Sequence, residues 1–421
     1  MSNVVIVGLG YVGLPLALRA VEAGHTVIGI ESNLTKIQSL EARQSYIEDV
    51  PSARIEEATA TGRFRPVISA RGLRETDTMD IGIITVPTPL RDDTREPDLT
   101  YVREAAKFLG QWIRPGDTVV LESTTYPGTT EELVAGVIYE QSGMWPDEYH
   151  LGFSPERVDP GNQVHTLVTT PKIVSGTRPE SLEVIAEFYS SLVDNVVPVS
   201  SPRVAEMAKL FENTFAQVNI ALVNEVALLC SKLGIDVDEV LDAAATKGHA
   251  IMRFRPGPGV GGHCIPVDPM YLAHHMRERH ETAFRLAELA DEINSSMPGH
   301  VVSRAAQILG GSVRDSRILV MGIAYKPNTS DIRESPSMDI VKILDELLAD
   351  VTVADGHSPQ WSQRVAHISP HEAVATAGDY DLVIIATDHD DVDYDTLHEN
   401  ATAILDTRNR LKDRDTKVHK L

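Results

Sequence analysis

Cysteine is nearly missing: the 421 residues hold only Cys230 and Cys264. A disulfide scaffold is thereby excluded, and a reducing, cytoplasmic compartment fits. Neither cysteine belongs to a CxxC pair, so no zinc site is expected. Basic charge is also scarce, with 38 Lys and Arg against 61 Asp and Glu and a net charge of −23. Nucleic acid and anionic membranes both call for a basic surface, so neither is an expected partner. A small anionic ligand stays open, because a few local cations or N–H groups suffice for it. No apolar run comes near the roughly 18 residues of a bilayer span. The opening MSNVVIVGLG lacks the basic flank and small-residue cleavage site of a signal peptide. What remains is 42% hydrophobic and 24% charged, enough to bury an ordinary core in each of two or three domains.

Along the chain, short apolar runs alternate with stretches of helical periodicity. Strands are expected at Asn3–Val7, Thr26–Ile30, Ile81–Val86, Thr118–Glu122, Lys172–Ser175 and Val196–Val199. Near-continuous apolar strands separated by helices imply a parallel sheet covered on both faces. From Arg203 to Leu233 apolar residues recur at helical spacing without Gly or Pro, and Gly234 stops the run. Such a length is unusual for a globular helix. Its apolar residues, spread over more than one side, make it a candidate dimer interface. A second α/β pattern follows, with strands at Ile318–Ile323, Val351–Ala354, Leu382–Ala386 and Ala403–Asp406. The expected architecture is α/β, with two Rossmann-like doubly wound parallel-sheet domains, 1–200 and 311–421, joined by a helical domain, 201–310.

Gly8-Leu9-Gly10-Tyr11-Val12-Gly13 is a G-x-G-x-x-G motif between a strand and a helix, and the next strand ends at Glu31. Gly8 permits the tight turn, Gly10 lets backbone approach a pyrophosphate, and Gly13 lets helix pack on sheet. The helix N-terminus offers free N–H groups to the phosphates. Glu31 can accept from ribose hydroxyls and would repel a 2′-phosphate, which favours NAD over NADP. Tyr11, Val12 and Lys36 complete this candidate set. Thr88 and Thr124 stand in loops at the carboxyl ends of later strands, where open sheets bind ligands; ordinary turn chemistry explains them equally well.

Pro256–Asp268 is the most informative stretch. Its glycines leave a backbone against which a ligand can lie, and Cys264 at its end is poorly placed for core packing. Asp268, four residues on, is suited to orienting water or a catalytic ammonium. Cys230, on the long apolar helix, reads as a buried hydrophobe. Lys209 and Asn213 share one helix face. A lysine among apolar residues is either a paired, functional ammonium or a snorkelling side chain.

With these motifs the chain resembles the UDP-glucose/GDP-mannose dehydrogenase family over its whole length. The matching segments are GLGYVG (8–13), VPTP (86–89), STTYPGTT (123–130), SPERVDPG (154–161), KLFENTF (209–215), PGPGVGGHCIPVDP (256–269) and GIAYKPNTSDIRESPS (322–337). The resemblance implies two hydride transfers from one sugar carbon to two NAD⁺ in succession, with Cys264 as covalent nucleophile. It assigns Lys209 and Asn213 to the oxyanion, Asp268 and Thr124 to the water that takes the first proton, and Glu156 to thioester hydrolysis. Lys326 and Arg333 would neutralise the diphosphate. Arg157, Phe254 and Gly261 join them as substrate contacts, and the long helix would make a homodimer.

The UDP-glucose branch reads GGSCFPKD at the nucleophile, whereas this chain reads GGHCIPVD, so His263 and Val267 reshape the pocket. With the SPERVDPG segment this resembles the branch acting on UDP-N-acetylglucosamine. The alternatives are UDP-glucose and UDP-N-acetylmannosamine. The family's substrate-contacting arginine upstream of the nucleophile has no single match among Lys247, His249, Arg253 and Arg255. A one-step hydroxyacid-type dehydrogenase would need no cysteine and no third domain, and a non-catalytic NAD-binding protein would need neither Cys264 nor Lys209.

Overall fold

The structure is a computed structural model that describes the chain apart from residues 70–71, 92–95, 159–163, 359–363 and 413–414. It divides into two compact units, Met1–Glu212 and Asn213–Leu421.

The first unit is built on eight strands, β1 (Asn3–Val7), β2 (Thr26–Ile30), β3 (Phe64–Val67), β4 (Ile81–Ile84), β5 (Thr118–Leu121), β6 (His150–Phe153), β7 (Lys172–Gly176) and β8 (Val196–Pro198). Their order is β3-β2-β1-β4-β5-β6-β7-β8, and the first six follow the order of dinucleotide-binding sheets. The two-residue period of a strand divides the core. Val4 and Ile6 join Leu14, Leu18, Ile55 and Phe188 on one face. Val5 and Val7 join Val102, Leu109 and Ile138 on the other. Both faces are dry, which explains the near-continuous apolar strands.

Two strands, β3 and β6, lie outside the sequence expectation. Phe64–Val67 contains Arg65 and Pro66, and His150–Phe153 contains Gly152, so neither makes a long apolar run. The sheet is also not wholly parallel, because β7 runs antiparallel to β6. Parallel neighbours need a crossover, usually a helix, and the described part of the β6–β7 connection contains none.

The helix Pro202–Leu233 matches the expected spine. Proline is tolerated in its first turn. Gly234, at φ +68°, ends it, and the Ile235 N–H reaches back to the Cys230 carbonyl. Its most apolar 18 residues have mean hydropathy 1.3, so by length and composition this helix could cross a membrane. That corrects the expectation that no segment approaches such a span: Gln217, Asn219 and Asn224 interrupt the run without lowering its average enough. Asn224 is nevertheless wholly buried in protein, donating to Asn294 Oδ1 at 2.9 Å.

In the second unit the sheet comprises β9 (Arg317–Met321), β10 (Asp350–Ala354), β11 (Ala366–Ile368), β12 (Leu382–Ile385), β13 (Ile404–Asp406) and β14 (Val418–Lys420). The order β11-β10-β9-β12-β13-β14 repeats that of β3 to β6, and every pair is parallel. The edge strands β11 and β14 have three residues each and are the ones sequence periodicity misses.

Asp355 follows β10 directly and organises three loops. Its Oδ2 accepts from the N–H groups of Ile323 at 2.7 Å and Ala324 at 3.2 Å, and its Oδ1 from those of His357 and Ser358, both at 2.8 Å. His389 Nδ1 accepts from the Asn328 N–H, so Nε2 carries the proton and donates to Asp355 at 3.1 Å. Burial alone would raise the Asp355 carboxyl, but His389 and the amides outweigh it and hold it well below the ordinary value. A carboxyl that titrates lower folded than unfolded gives stability that is complete above the unfolded value, near ~3.9, and lost as pH falls through the folded one. Asp355→Asn should therefore cost about 3 kcal/mol at neutral pH and flatten the acid limb of stability below about pH 4. Urea melts as a function of pH check both; an unchanged acid limb would remove Asp355 as its source.

Candidate functional site

The glycine turn after β1 has the form its sequence implies. Gly8 stands at φ +98°, and a Cβ there would lie 2.8 Å from the Thr85 carbonyl oxygen. At Gly13 a Cβ would come within 1.9 Å of the Gly8 carbonyl oxygen. Gly10 faces open space, with nothing within 4 Å of a Cβ. Two glycines are thus required by the protein's own packing and one faces outward, as a bound pyrophosphate needs. Glu31 fastens the turn: its Oε2 accepts from the Leu9 N–H at 3.2 Å and its Oε1 from the Asn33 N–H at 2.9 Å. Lys36 Nζ lies 3.5 Å from Glu31 Oε2 and also over the Tyr46 ring. Tyr46 donates to the Leu9 carbonyl at 2.6 Å. Tyr11 and Val12 are half-buried at the start of the helix Gly13–Glu22. These residues fit NAD: an open amide-lined turn and a carboxylate that keeps lone pairs at the ribose end.

Thr88 and Thr124 are both half-buried beyond β4 and β5. Their neighbour Thr125 was not singled out by sequence. It is wholly buried, and its hydroxyl has no hydrogen-bond partner. A buried hydroxyl left unpaired costs about 1–3 kcal/mol, which sets Thr125 beside Thr124 as a polar group of this loop. Its place two residues before Pro127 was the available sequence signal. Glu206 of the long helix pins this loop, accepting from the Gly128 N–H at 2.6 Å, the Thr130 N–H at 2.9 Å and the Thr130 hydroxyl at 2.7 Å.

Glu156 follows β6. Its Oε1 accepts from the N–H groups of Arg157 at 2.7 Å and Val158 at 2.6 Å, which fixes the carboxylate on its own turn. The Arg157 guanidinium pairs with Glu212 at 2.7 Å and donates to the Pro171 carbonyl. The last three residues of SPERVDPG, Asp159, Pro160 and Gly161, lie outside the described residues. Lys209 is 8% exposed on the long helix, one turn before Asn213, so the residue is largely buried.

In the second unit Cys264 is half-buried and in no disulfide. Its carbonyl accepts from the Asp268 N–H at 2.8 Å, so the cysteine stands one turn ahead of the helix Asp268–His280. Asp268 is 2% exposed and accepts a hydrogen bond from Asn213 Nδ2. The helix residue and the loop residue that the sequence separates widely are in direct contact. Asn224 Oδ1 accepts from the Gly257 N–H at 2.9 Å and holds the glycine-rich loop. A Cβ on Gly261 would meet Tyr325 at 2.6 Å, and one on Gly262 the Tyr325 ring at 3.0 Å. The loop therefore lies flat on the segment carrying Lys326 and Arg333. Cys230 is buried, as expected.

The cations of this unit are unequally available. Arg253 pairs with Asp238 and Asp242, each at 2.8 Å, which ties the loop to the helix Val237–Ala245. Lys247, His249 and Arg255 are exposed, as is His263. Arg333 pairs with Asp331 through both Nε and Nη2. Burial would raise the Asp331 carboxyl, but Arg333 holds it below the ordinary value. Lys326 Nζ sits 5.7 Å above the Tyr325 ring, and Phe254 packs edge-on to Phe215 at 5.9 Å. His357, His389 and Asp391 cluster within 4.8 Å, but both ring nitrogens of His389 are already engaged, so it has no lone pair for a metal.

A dinucleotide-binding sheet followed by a glycine-rich loop that ends in a thiol defines an NAD-dependent dehydrogenase. The chain belongs to the UDP-glucose/GDP-mannose dehydrogenase family: its NAD-binding domain matches residues 2–193, its central domain 203–296 and its UDP-binding domain 319–413. It is a nucleotide-sugar dehydrogenase. A UDP-N-acetyl-D-glucosamine 6-dehydrogenase from Pseudomonas aeruginosa is 37% identical over 92% of this chain and 90% of its own length. A UDP-D-ManNAc dehydrogenase from Pyrococcus horikoshii superposes with a TM-score of 0.88 at 29% identity, covering 99% of this chain and 98% of that one. A UDP-glucose dehydrogenase from Pyrobaculum islandicum reaches a TM-score of 0.90 at 28% identity, covering 100% and 97%.

Gly10→Ala, which meets no protein atom, should leave the melting temperature unchanged and weaken NAD⁺ binding by about tenfold or more. Gly13→Ala should lower both. Calorimetric titration and thermal melts separate the two; a Gly10→Ala protein with parental NAD⁺ affinity would mean that the pyrophosphate lies elsewhere. Glu31 should disfavour a 2′-phosphate by about 1–3 kcal/mol, so kcat/KM for NADP⁺ should fall well below that for NAD⁺.

Proposed function

We propose that the chain oxidises the C6 alcohol of a UDP-N-acetylhexosamine, UDP-N-acetylglucosamine before others, to the uronic acid in two successive two-electron steps at Cys264. The observation that carries this reading is the glycine-rich loop, where a cysteine outside any disulfide stands one helical turn before a buried Asp268 held by Asn213. Bound NAD⁺ supplies the hydride acceptor for each step. Lys209 and Asn213 stabilise the oxyanion that develops on the sugar. Asp268 and Thr124 hold the water that takes the first proton. The Cys264 thiolate captures the aldehyde as a thiohemiacetal. That adduct keeps a C–H bond and an oxyanion, so a second hydride can leave and a thioester results. Glu156 orients the water that releases the acid. Capture also keeps a reactive aldehyde from escaping between the two steps.

Residues 1–200 bind NAD in this reading, 201–310 form a helical dimerisation domain with the nucleophile loop, and 311–421 bind the UDP-sugar, with Lys326 and Arg333 on the diphosphate. Phe254 and Gly261 contact the sugar. An acetamido group needs room and a polar partner, since a buried amide without one costs about 1–3 kcal/mol. Arg157 is engaged by Glu212 and the Pro171 carbonyl, and His263, exposed beside Cys264, is the other candidate for that partner. Arg253 is likewise committed, so the substrate-contacting cation falls among Lys247, His249 and Arg255. The Pseudomonas relative supports UDP-N-acetylglucosamine; UDP-N-acetylmannosamine and UDP-glucose are the alternatives.

The assembly is a homodimer through the long helix. Phe211 is 63% exposed, Leu222 and Leu229 are each 55% exposed and Leu233 is 70% exposed, an apolar surface that a second copy would cover. Light scattering should give at least a dimer at micromolar concentration, and an active monomer would count against this. Two NADH should form per sugar consumed, and Cys264→Ser should prevent formation of the acid while Cys230→Ser keeps most activity. UDP-N-acetylglucosamine should exceed UDP-glucose by about 10–200-fold in kcat/KM. Steady-state assays with the three UDP-sugars test it; one NADH per sugar with free aldehyde would sink the covalent double oxidation, and equal use of UDP-glucose would sink the branch assignment alone.

A further inference from the structure

The first unit holds a buried charge cluster that the reaction scheme above does not use. Lys172 begins β7 and is 3% exposed; Glu122 follows β5 at 1%, and Tyr189 is wholly buried. The three donors of the Lys172 ammonium have three oxygens around them. Glu122 Oε2 lies at 2.9 Å, the Pro155 carbonyl at 3.1 Å and Glu156 Oε2 at 3.7 Å. The second oxygen of Glu122 accepts from the Tyr189 hydroxyl.

Strand direction explains how a lysine reaches this edge. Ligands of an open sheet bind beyond the carboxyl ends of its strands, where Glu122 and Glu156 emerge from β5 and β6. The first residue of another parallel strand would lie at the far edge. Because β7 is antiparallel to β6, with Gly152 opposite Gly176 and Phe153 opposite Ser175, its first residue arrives at the carboxyl edge instead. Continuing that register by three residues sets Lys172 opposite Glu156. The reversal of one strand thus delivers an ammonium to a carboxylate that the fold alone would leave without one.

We infer that Lys172, backed by Glu122 and Tyr189, is a positioning residue for Glu156. This rests on the role given to Glu156 above. The two oxygens of Glu156 are treated differently: Oε1 is held by the Arg157 and Val158 amides, and Oε2 faces Lys172. A carboxylate hydrogen-bonded through Oε1 and drawn toward an ammonium at Oε2 favours one orientation, which leaves a lone pair of Oε2 for a water. Glu122 and Tyr189 in turn hold the lysine. Burial alone would lower the Lys172 ammonium, but Glu122 and Glu156 beside it more than offset this and raise it, so the cation persists. Burial raises the Glu122 carboxyl, against the pull of Lys172. In the step concerned, the water oxygen bonds to the acyl carbon and the C–S bond to Cys264 breaks. The thiol is regenerated, one proton leaves with the acid, and no electrons are exchanged.

Removing Lys172 alone would leave Glu122 buried and unpaired, which is strongly destabilising, whereas replacing both partners is often tolerated. The test therefore uses the double variant Lys172→Met/Glu122→Gln, with Lys172→Arg as the conservative exchange and Glu156→Gln as reference. Each is mixed rapidly with NAD⁺ and whichever of the three UDP-sugars the parent uses best. The double variant should form its first two NADH per active site within about threefold of the parental rate. Its steady-state rate should then fall about 10-fold to 100-fold, with an acyl group on Cys264 seen by mass spectrometry after acid quench. Lys172→Arg should recover most of the steady rate. A merely structural role would slow burst and steady state together, and that result overturns the proposal. So does a parental steady rate in the double variant while Glu156→Gln is slow, which leaves the role of Glu156 intact. If Glu156→Gln itself turns over at the parental rate without acyl accumulation, the reading of Glu156 fails and this one with it.

Discussion

In each sheet, one carboxylate at the end of the second strand grips the backbone of the turn after the first, and the rest of each site is arranged around that grip. Glu31 takes the Leu9 N–H next to Gly8, and Asp355 takes those of Ile323 and Ala324 next to Gly322. The correspondence extends further. Gly8 donates to the Ile30 carbonyl as Gly322 does to that of Ala354, and both glycines have positive φ. Thr85 Oγ1 donates to the Gly8 carbonyl, and Thr387 Oγ1 to that of Ala324. Buried amides at a strand end need acceptors, and an ionised carboxylate supplies several at once. What differs is how much of the acceptor is left. Glu31 spends two contacts on amides and keeps lone pairs for a ribose. Asp355 is occupied by four amides and His389, so the same geometry serves only to hold three loops in place. One turn design thus provides a ligand site in one domain and a rigid scaffold in the other.

The parts of this organisation that sequence reveals are those with period or bulk. The central strands, buried on both faces, read as apolar runs; the long helix reads as an uninterrupted 3.6 pattern; the glycine turn reads as three glycines with distinct duties. The missed strands are short, at sheet edges or broken by Pro66 and Gly152, where pairing with a neighbour rather than side-chain burial defines the element. Strand direction was equally illegible, since residues alternate in the same way whichever way a strand runs. That one ambiguity hid the placement of Lys172. The different burial of Thr124 and Thr125 was illegible for a similar reason, since two adjacent threonines have the same composition.

The acidity of the chain is consistent with binding an anionic nucleotide-sugar because its cations are held locally rather than spread as a field. Arg157 sits on Glu212, Arg253 on Asp238 and Asp242, and Arg333 on Asp331. Each pair holds a guanidinium in one place on the surface of its own unit. Arg333 illustrates the consequence. Its carbonyl accepts from the Gly262 N–H at 3.0 Å and its guanidinium closes on Asp331, so a single residue braces the glycine-rich loop while its charge is held by a carboxylate. Lysines are used in the other way. Lys209 and Lys172 are buried point charges set among oxygens or apolar neighbours, where a compact ammonium can be directed at one atom. The division follows from the side chains themselves: the planar fork suits bidentate carboxylate and phosphate partners, and the ammonium suits a single oxyanion or a single carboxylate edge.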